Sequence, residues 1–261
     1  MNILDKIVAD KHQELILKKE MFTVKMLEKI PFFERNTFSL TNNLQNSTSG
    51  IIAEFKRRSP SKSIINNTAL VEDIAIGYED AGVCGMSVLT DEIYFGGTLD
   101  DLITARQNCT LPILRKEFII DDFQIIEAKA FGADVILLIA AILTKAEIKR
   151  FSELAKSLDL EVLLEVHNEE ELHKSLMPSL DMIGVNNRNL KTFEVSLKTS
   201  KTLSSLIPDK FIKVSESGIS SIEAIKELQP YGYQGFLIGE NFMKTKNPGK
   251  SAKEFIKTLE R

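Results

Sequence analysis

After Gly50 the chain repeats one pattern: eight apolar runs of four or five residues, separated by charged, amphipathic segments. The runs are Ile51–Phe55, Gly85–Leu89, Leu111–Arg115, Val135–Ile139, Val162–Val166, Met182–Val185, Phe211–Ser215 and Gly235–Ile238. Their starts advance by about 26 residues on average, enough for a strand, a helix and two loops in each unit. The segments between them carry helical spacing, as in Ala69–Glu79, Asp121–Phe131 and Ser220–Leu228, and Gly82, Gly132 and Gly232 stand where these helices should end. Continuously apolar strands alternating with helices predict a parallel sheet covered by helices. Eight such units close naturally into an α/β fold of the (β/α)8 TIM-barrel type. An open doubly wound sheet would usually carry a Gly-rich turn after its first strand, and GxGxxG is absent.

Residues 50–261 are expected to form the barrel, and residues 1–49 an N-terminal helical extension of the same domain, with Ile3, Leu4, Ile7 and Val8 at helical spacing and Asn42–Gly50 as the loosest stretch. With 43% hydrophobic and 27% charged residues, disorder is excluded. Two cysteines, Cys84 and Cys109, are too few for a disulfide framework and fit a reducing, cytoplasmic setting, packed as small apolar residues. The longest apolar run, Val135–Leu143, is about half of the ~18 residues a membrane span needs. A net charge of −4 argues against nucleic acid, and Lys56-Arg57-Arg58 lacks the aromatic interleaving of a binding face. No feature separates a monomer from a weak homodimer, and a chain of 261 residues leaves no room for a fused second enzyme.

In barrels of this type the chemistry lies at the C-terminal ends of the strands. Those ends are charged here, and the two-residue strand period decides which side chains point inward. Glu54 and Lys56 share a face with Ile52; Lys116 shares one with Leu114, which turns Arg115 toward the helices. Asn186 goes with Arg188 and Glu216 with Val214, and Glu165 completes the set. Acids and bases interleaved around one mouth move one another's pKa values apart and suit general acid–base work. Ser217-Gly218 and Gly239-Glu240 end the last two strands, where backbone amides approach a phosphate closely. His12, His167 and His173 lack metal-ligand spacing and are expected at the surface, with no metal.

Seven segments carry a more specific signal: AEFKRRSPSK (53–62), LTDEIYFGG (89–97), PILRKEFI (112–119), LLEVHNEEEL (163–172), IGVNNRNLKT (183–192), VSESGI (214–219) and FLIGE (236–240). Together, in this order, the chain resembles the indole-3-glycerol-phosphate synthases. The resemblance implies a lyase of tryptophan biosynthesis that needs no cofactor. Its phosphorylated substrate, 1-(2-carboxyphenylamino)-1-deoxyribulose 5-phosphate, is closed to the indole with loss of CO2 and water. It further implies Lys116 as general acid on the ketone oxygen, Glu165 as general base or electrostatic partner, and Glu54 with Lys56 in the dehydration. Asn186 and Arg188 would contact the reacting part of the substrate and Ser217 would lie near it. Gly218, Gly239 and the Glu240 backbone would hold the phosphate, and Phe95, Phe118 and Leu138 would wall the aromatic ring. Ser59 and Pro60 fall in the loop after the first strand, and any aromatic lid from the extension would use Phe22, Phe32 or Phe33. The alternatives are a Schiff-base aldolase using Lys116 or Lys213, and a non-catalytic barrel that binds a phosphorylated metabolite.

Overall fold

The computed structural model of the protein describes residues 3–190 and 192–260. Lys191 of the fifth motif, the first two residues of the extension and Arg261 at the end of the expected barrel lie outside the described residues. Eight parallel strands close into a barrel in chain order: β1 Ile51–Phe55, β2 Gly85–Leu89, β3 Ile113–Lys116, β4 Val135–Ile139, β5 Glu161–Val166, β6 Met182–Asn186, β7 Ile212–Glu216 and β8 Tyr233–Ile238. β8 returns to β1 through the register Ile51↔Phe236, so no edge remains. β3 starts two residues later than the apolar run suggests. Pro112 has no N–H for the ladder, and the Leu111 carbonyl accepts Arg106 Nη1 at 2.9 Å instead.

Alternation sorts the strand side chains into two cores. Ile52, Leu114, Leu137, Leu163, Val214 and Leu237 fill the barrel, whereas Phe55, Ile136, Leu138, Leu164 and Ile183 pack against the helices. Helices stand where the periodicity places them, including Val71–Ala81, Asp122–Ala130 and Ile222–Leu228. Both cysteines are buried and free. Among the described residues no helix is long and apolar enough to cross a membrane.

The extension reaches both ends of the barrel. Its first helix, Ile3–Met21, lies over the mouth, and Ile7 joins the inner core from above. The chain then descends to the opposite end, where Leu40 and Leu44 join the same core. The Asn42–Gly50 stretch is therefore not loose throughout: a short helix, Leu40–Gln45, occupies its first half. The Glu161 carboxylate at the start of β5 accepts the Leu40 and Thr41 N–H groups at 2.9 and 3.0 Å, satisfying donors that a helix start leaves open. Arg35 adds an ion pair of 2.6 Å to the fully buried Asp134 beneath β4.

Candidate active site

The C-terminal ends of the strands surround a cleft of about 380 Å³. Glu54, Lys56, Lys116, Glu165, Asn186, Arg188 and Glu216 all line it, as do Ser59, Phe95, Phe118, Ser217, Gly218, Gly239 and Glu240. Leu138 does not. It packs outward against the helices, and its neighbours Leu137 and Ile139 line the cleft instead, because alternate residues of β4 face inward.

On the floor, Lys116 Nζ stands 2.6 Å from Glu216 Oε2 and 3.2 Å from Glu165 Oε2. Burial alone would lower the Lys116 pKa, but the carboxylates of Glu216, Glu165 and Glu54 reverse that and raise it above the ordinary lysine value. Burial raises both glutamates, and their neighbours then separate them. Glu216, crowded by the charges of Glu165 and Glu54, is pushed up to about 7 despite Lys116. Glu165 lies below the usual carboxylate range: burial acts against this, but Lys116 and His167 hold it anionic, with Asn186 Nδ2 donating at 3.2 Å. Lys56 Nζ pairs with Glu54 Oε1 at 2.6 Å, beside the floor. The arrangement offers a permanent ammonium donor, an ionised carboxylate and a carboxyl poised to titrate.

Glycines make room for this crowding. A Cβ on Gly184 would stand 2.3 Å from Glu216 Oε1, and one on Gly239 2.5 Å from Glu54 Oε1. The glycine in IGVNN thus marks the place where a β7 carboxylate leans across β6.

One wall is apolar. The Phe95 and Phe118 rings lie 6.0 Å apart at 38°, and Ile3, Leu4 and Ile7 of the first helix roof the cleft. None of the three phenylalanines available for an aromatic lid reaches the cleft: Phe22 is exposed, Phe33 packs with Leu15 and Leu27 away from the mouth, and Phe32 does not line it. At the far side, Ser217 and Gly218 both take left-handed backbone, φ 63° and 78°, which turns the chain sharply at the end of β7. Gly239 precedes a helical turn at Glu240–Met243. The Glu240 side chain is held by Lys62 at 2.7 Å, which ties the loop after β1 to the end of β8. Ser59 and Lys62 exchange backbone hydrogen bonds of 2.9 and 3.0 Å, folding that loop into a tight turn at the rim.

Sequence reasoning looks to the extension for an aromatic lid and misses that its roof is aliphatic, since helical spacing shows an apolar face without showing what it covers. It also misplaced His167, which is largely buried, 3.4 Å from Glu165 and 3.1 Å from Glu171. His12 and His173 are exposed, as expected. The basic cluster resolves into separate contacts: Arg57 pairs with Asp101 and Arg58 donates to the Glu92 carbonyl.

Comparison with known proteins agrees with this geometry. The family profile for indole-3-glycerol phosphate synthase matches residues 4–255. The indole-3-glycerol phosphate synthase of Bacteroides thetaiotaomicron is 46% identical over 259 residues, covering 99% of each chain. That of Aliarcobacter butzleri is 42% identical over 261 residues, covering 98% of this chain and 99% of the other. Among solved structures, 3-hexulose-6-phosphate synthase from Salmonella typhimurium superposes with a TM-score of 0.61 at 15% identity, covering 80% of this chain and 98% of that one. Thiamine phosphate pyrophosphorylase from Pyrococcus furiosus gives 0.60 at 17%, covering 85% and 98%; these two likenesses concern the fold alone. Family match and full-length relatives together establish that the chain belongs to the indole-3-glycerol phosphate synthase family.

Proposed function

We propose that this cleft converts 1-(2-carboxyphenylamino)-1-deoxyribulose 5-phosphate to indole-3-glycerol phosphate, CO2 and water, with Lys116 as the general acid. The observation that carries the reading is the Lys116 ammonium, fixed between Glu165 and Glu216 at 3.2 and 2.6 Å on the floor of a cleft with one apolar wall. The aromatic ring carbon attacks the ketone carbon, and the carbonyl oxygen gains the electron pair. An ammonium beside that oxygen stabilises the developing charge and supplies the proton. The carboxylate leaves as CO2, its bonding electrons return to the ring, and loss of the new hydroxyl as water completes the indole. Glu165 serves as base, while Lys56 and Glu54, paired at 2.6 Å, serve the dehydration.

The Phe95–Phe118 wall suits the substrate ring, with Leu137 and Ile139 in the place first given to Leu138. Asn186, Arg188 and Ser217 suit its polar middle. The turns at Gly218 and Gly239, with the Glu240 N–H, suit its phosphate, and Lys62 draws the Glu240 carboxylate aside. A cytoplasmic enzyme acting on this small phosphorylated molecule, as monomer or weak homodimer, is the accompanying reading.

The Schiff-base alternative needs a neutral amine. Lys116 is held protonated, and Lys213 lies outside the cleft, near Gly232. Purified protein without added metal is expected to turn the carboxyphenylamino substrate into fluorescent indole product; folded protein that gives no fluorescence gain, or a borohydride-trapped substrate adduct, would exclude the proposal.

Gly184→Ala gives a further check. Its methyl group would drive the Glu216 carboxylate off its position beside Lys116, and a shift of about 1 Å can cost ~100-fold in rate. A kcat loss approaching that size is expected, with little change in KM; a kcat near wild type would show that Glu216 placement is immaterial.

A further inference from the structure

Beside the proposed base, the reaction scheme leaves a largely buried histidine, His167, unused. His167 follows Glu165 by two residues, so both side chains leave the same side of the chain at the end of β5. Its Nδ1 lies 3.1 Å from Glu171 Oε2 on the next helix, Glu169–Ser175, and the same oxygen accepts the His167 backbone N–H at 2.8 Å. Asn168 Nδ2 donates to the other Glu171 oxygen at 2.9 Å, so the glutamate itself cannot swing. Nε2 is buried, faces Glu165 Oε1 at 3.4 Å, and makes no hydrogen bond among the described residues. Behind the ring lies a second cavity of about 910 Å³, between the first helix and the loop after β6.

We propose that His167 is the positioning residue for Glu165: clamped by Glu171, it orients the Glu165 carboxylate and remains its cationic partner when Lys116 turns to the substrate. The inference rests on the function proposed above. Glu165 is held by Asn186 at 3.2 Å and Lys116 at 3.2 Å. Once Lys116 gives its proton to the ketone oxygen it is neutral and no longer compensates the Glu165 charge. A buried carboxylate beside Glu216 and Glu54 would then take up a proton and cease to be a base. A protonated His167 ring, with Nε2 3.4 Å from Glu165 Oε1, prevents that. Burial lowers the His167 pKa, but the hydrogen bond to Glu171 and the charges of Glu165 and Glu216 raise it above the ordinary value. The other charged groups lining the second cavity are Asp5, Arg188 and Glu194, of mixed sign. The role moves no proton of its own; it fixes the charge state and direction of the group that does.

The test compares wild type, His167→Gln and His167→Ala by kcat and KM across pH, with and without added imidazole, alongside urea unfolding. Loss of a positioning partner is expected to lower kcat by about 10- to 100-fold, less than the ~10²- to 10⁴-fold span of removing an acid or base outright. KM should stay within about threefold, since ground-state binding is untouched. The acidic limb of the kcat profile should move to higher pH, because Glu165 without its cation protonates more readily. Imidazole, admitted through the second cavity, should restore part of the His167→Ala rate and leave wild type unchanged. A kcat within about twofold of wild type overturns the inference. So does a rate loss with an unmoved acidic limb and no imidazole rescue, the signature of a merely structural histidine. Should His167→Ala fail to fold, the acidic limb of His167→Gln decides alone. Wild-type protein without turnover would overturn the proposed function and this inference with it, whereas active wild type with an indifferent His167→Gln removes this inference only.

Discussion

Lys116→Met is expected to lower kcat by at least about 100-fold, the lower bound for losing a positioned general acid. Methionine keeps the unbranched stem and much of its packing, so the change isolates the ammonium. The barrel should still form. Removing the cation leaves Glu165 and Glu216 facing each other without compensation, but Glu216, already pushed up to about 7, can relieve this by taking a proton. A group whose folded pKa exceeds its ordinary value of 4.5 contributes stability below that value and loses it as pH rises through about 7. Without Lys116 the folded pKa of Glu216 climbs further, so this loss moves to higher pH in the variant. The decisive measurement is indole fluorescence under saturating substrate, wild type and variant side by side at matched circular dichroism. A near-wild-type kcat would remove Lys116 from the acid role.

Lys11→Met is expected to destabilise the protein by about 3–5 kcal/mol, the cost of leaving buried charge uncompensated. Lys11 stands on the first helix, with a side chain only 2% exposed, 3.2 Å from both Asp91 and Glu117 and 2.7 Å from Glu14. Asp91 and Glu117 are buried as well, and the network continues through Thr90 to Arg115, which reaches Glu127 at 2.6 Å. Arg115 is thus the outward-facing counterpart of Lys116, and the network it joins secures the roof helix to the strand end that carries the acid. Urea unfolding of the single variant and of Lys11→Met with Glu117→Gln forms the check. The double variant should recover part of the loss, because its buried carboxylate is gone. A single-variant loss below about 1 kcal/mol would mean the cluster is solvated and holds nothing.

Some of this was readable directly from residue order. Glu54 and Lys56, Lys116, Asn186 with Arg188, and Glu216 were placed at one mouth by strand alternation, and the cleft contains them all. The same rule, applied without exception, would have excluded Leu138, which is one residue out of phase with the inward positions of β4. It also draws in His167, two residues beyond Glu165 and so on the same side of the chain. Strand boundaries slipped where a residue's backbone chemistry overrode its apolarity, as at Pro112.

Residue order alone dictates the repeat, the barrel and the identity of the inward charges. Each follows from periods of two and about 3.6 residues, which are local properties of a strand and a helix. The closed barrel sets which carboxylate faces which amine, because Glu165 and Glu216 meet Lys116 from strands 49 and 100 residues away. It alone decided that the extension serves both ends of the barrel, roofing the mouth with Ile3, Leu4 and Ile7 and closing the base with Leu40 and Leu44. An amphipathic pattern states that a face will be buried. What buries it depends on where barrel closure leaves apolar surface open, and that is a property of the whole chain.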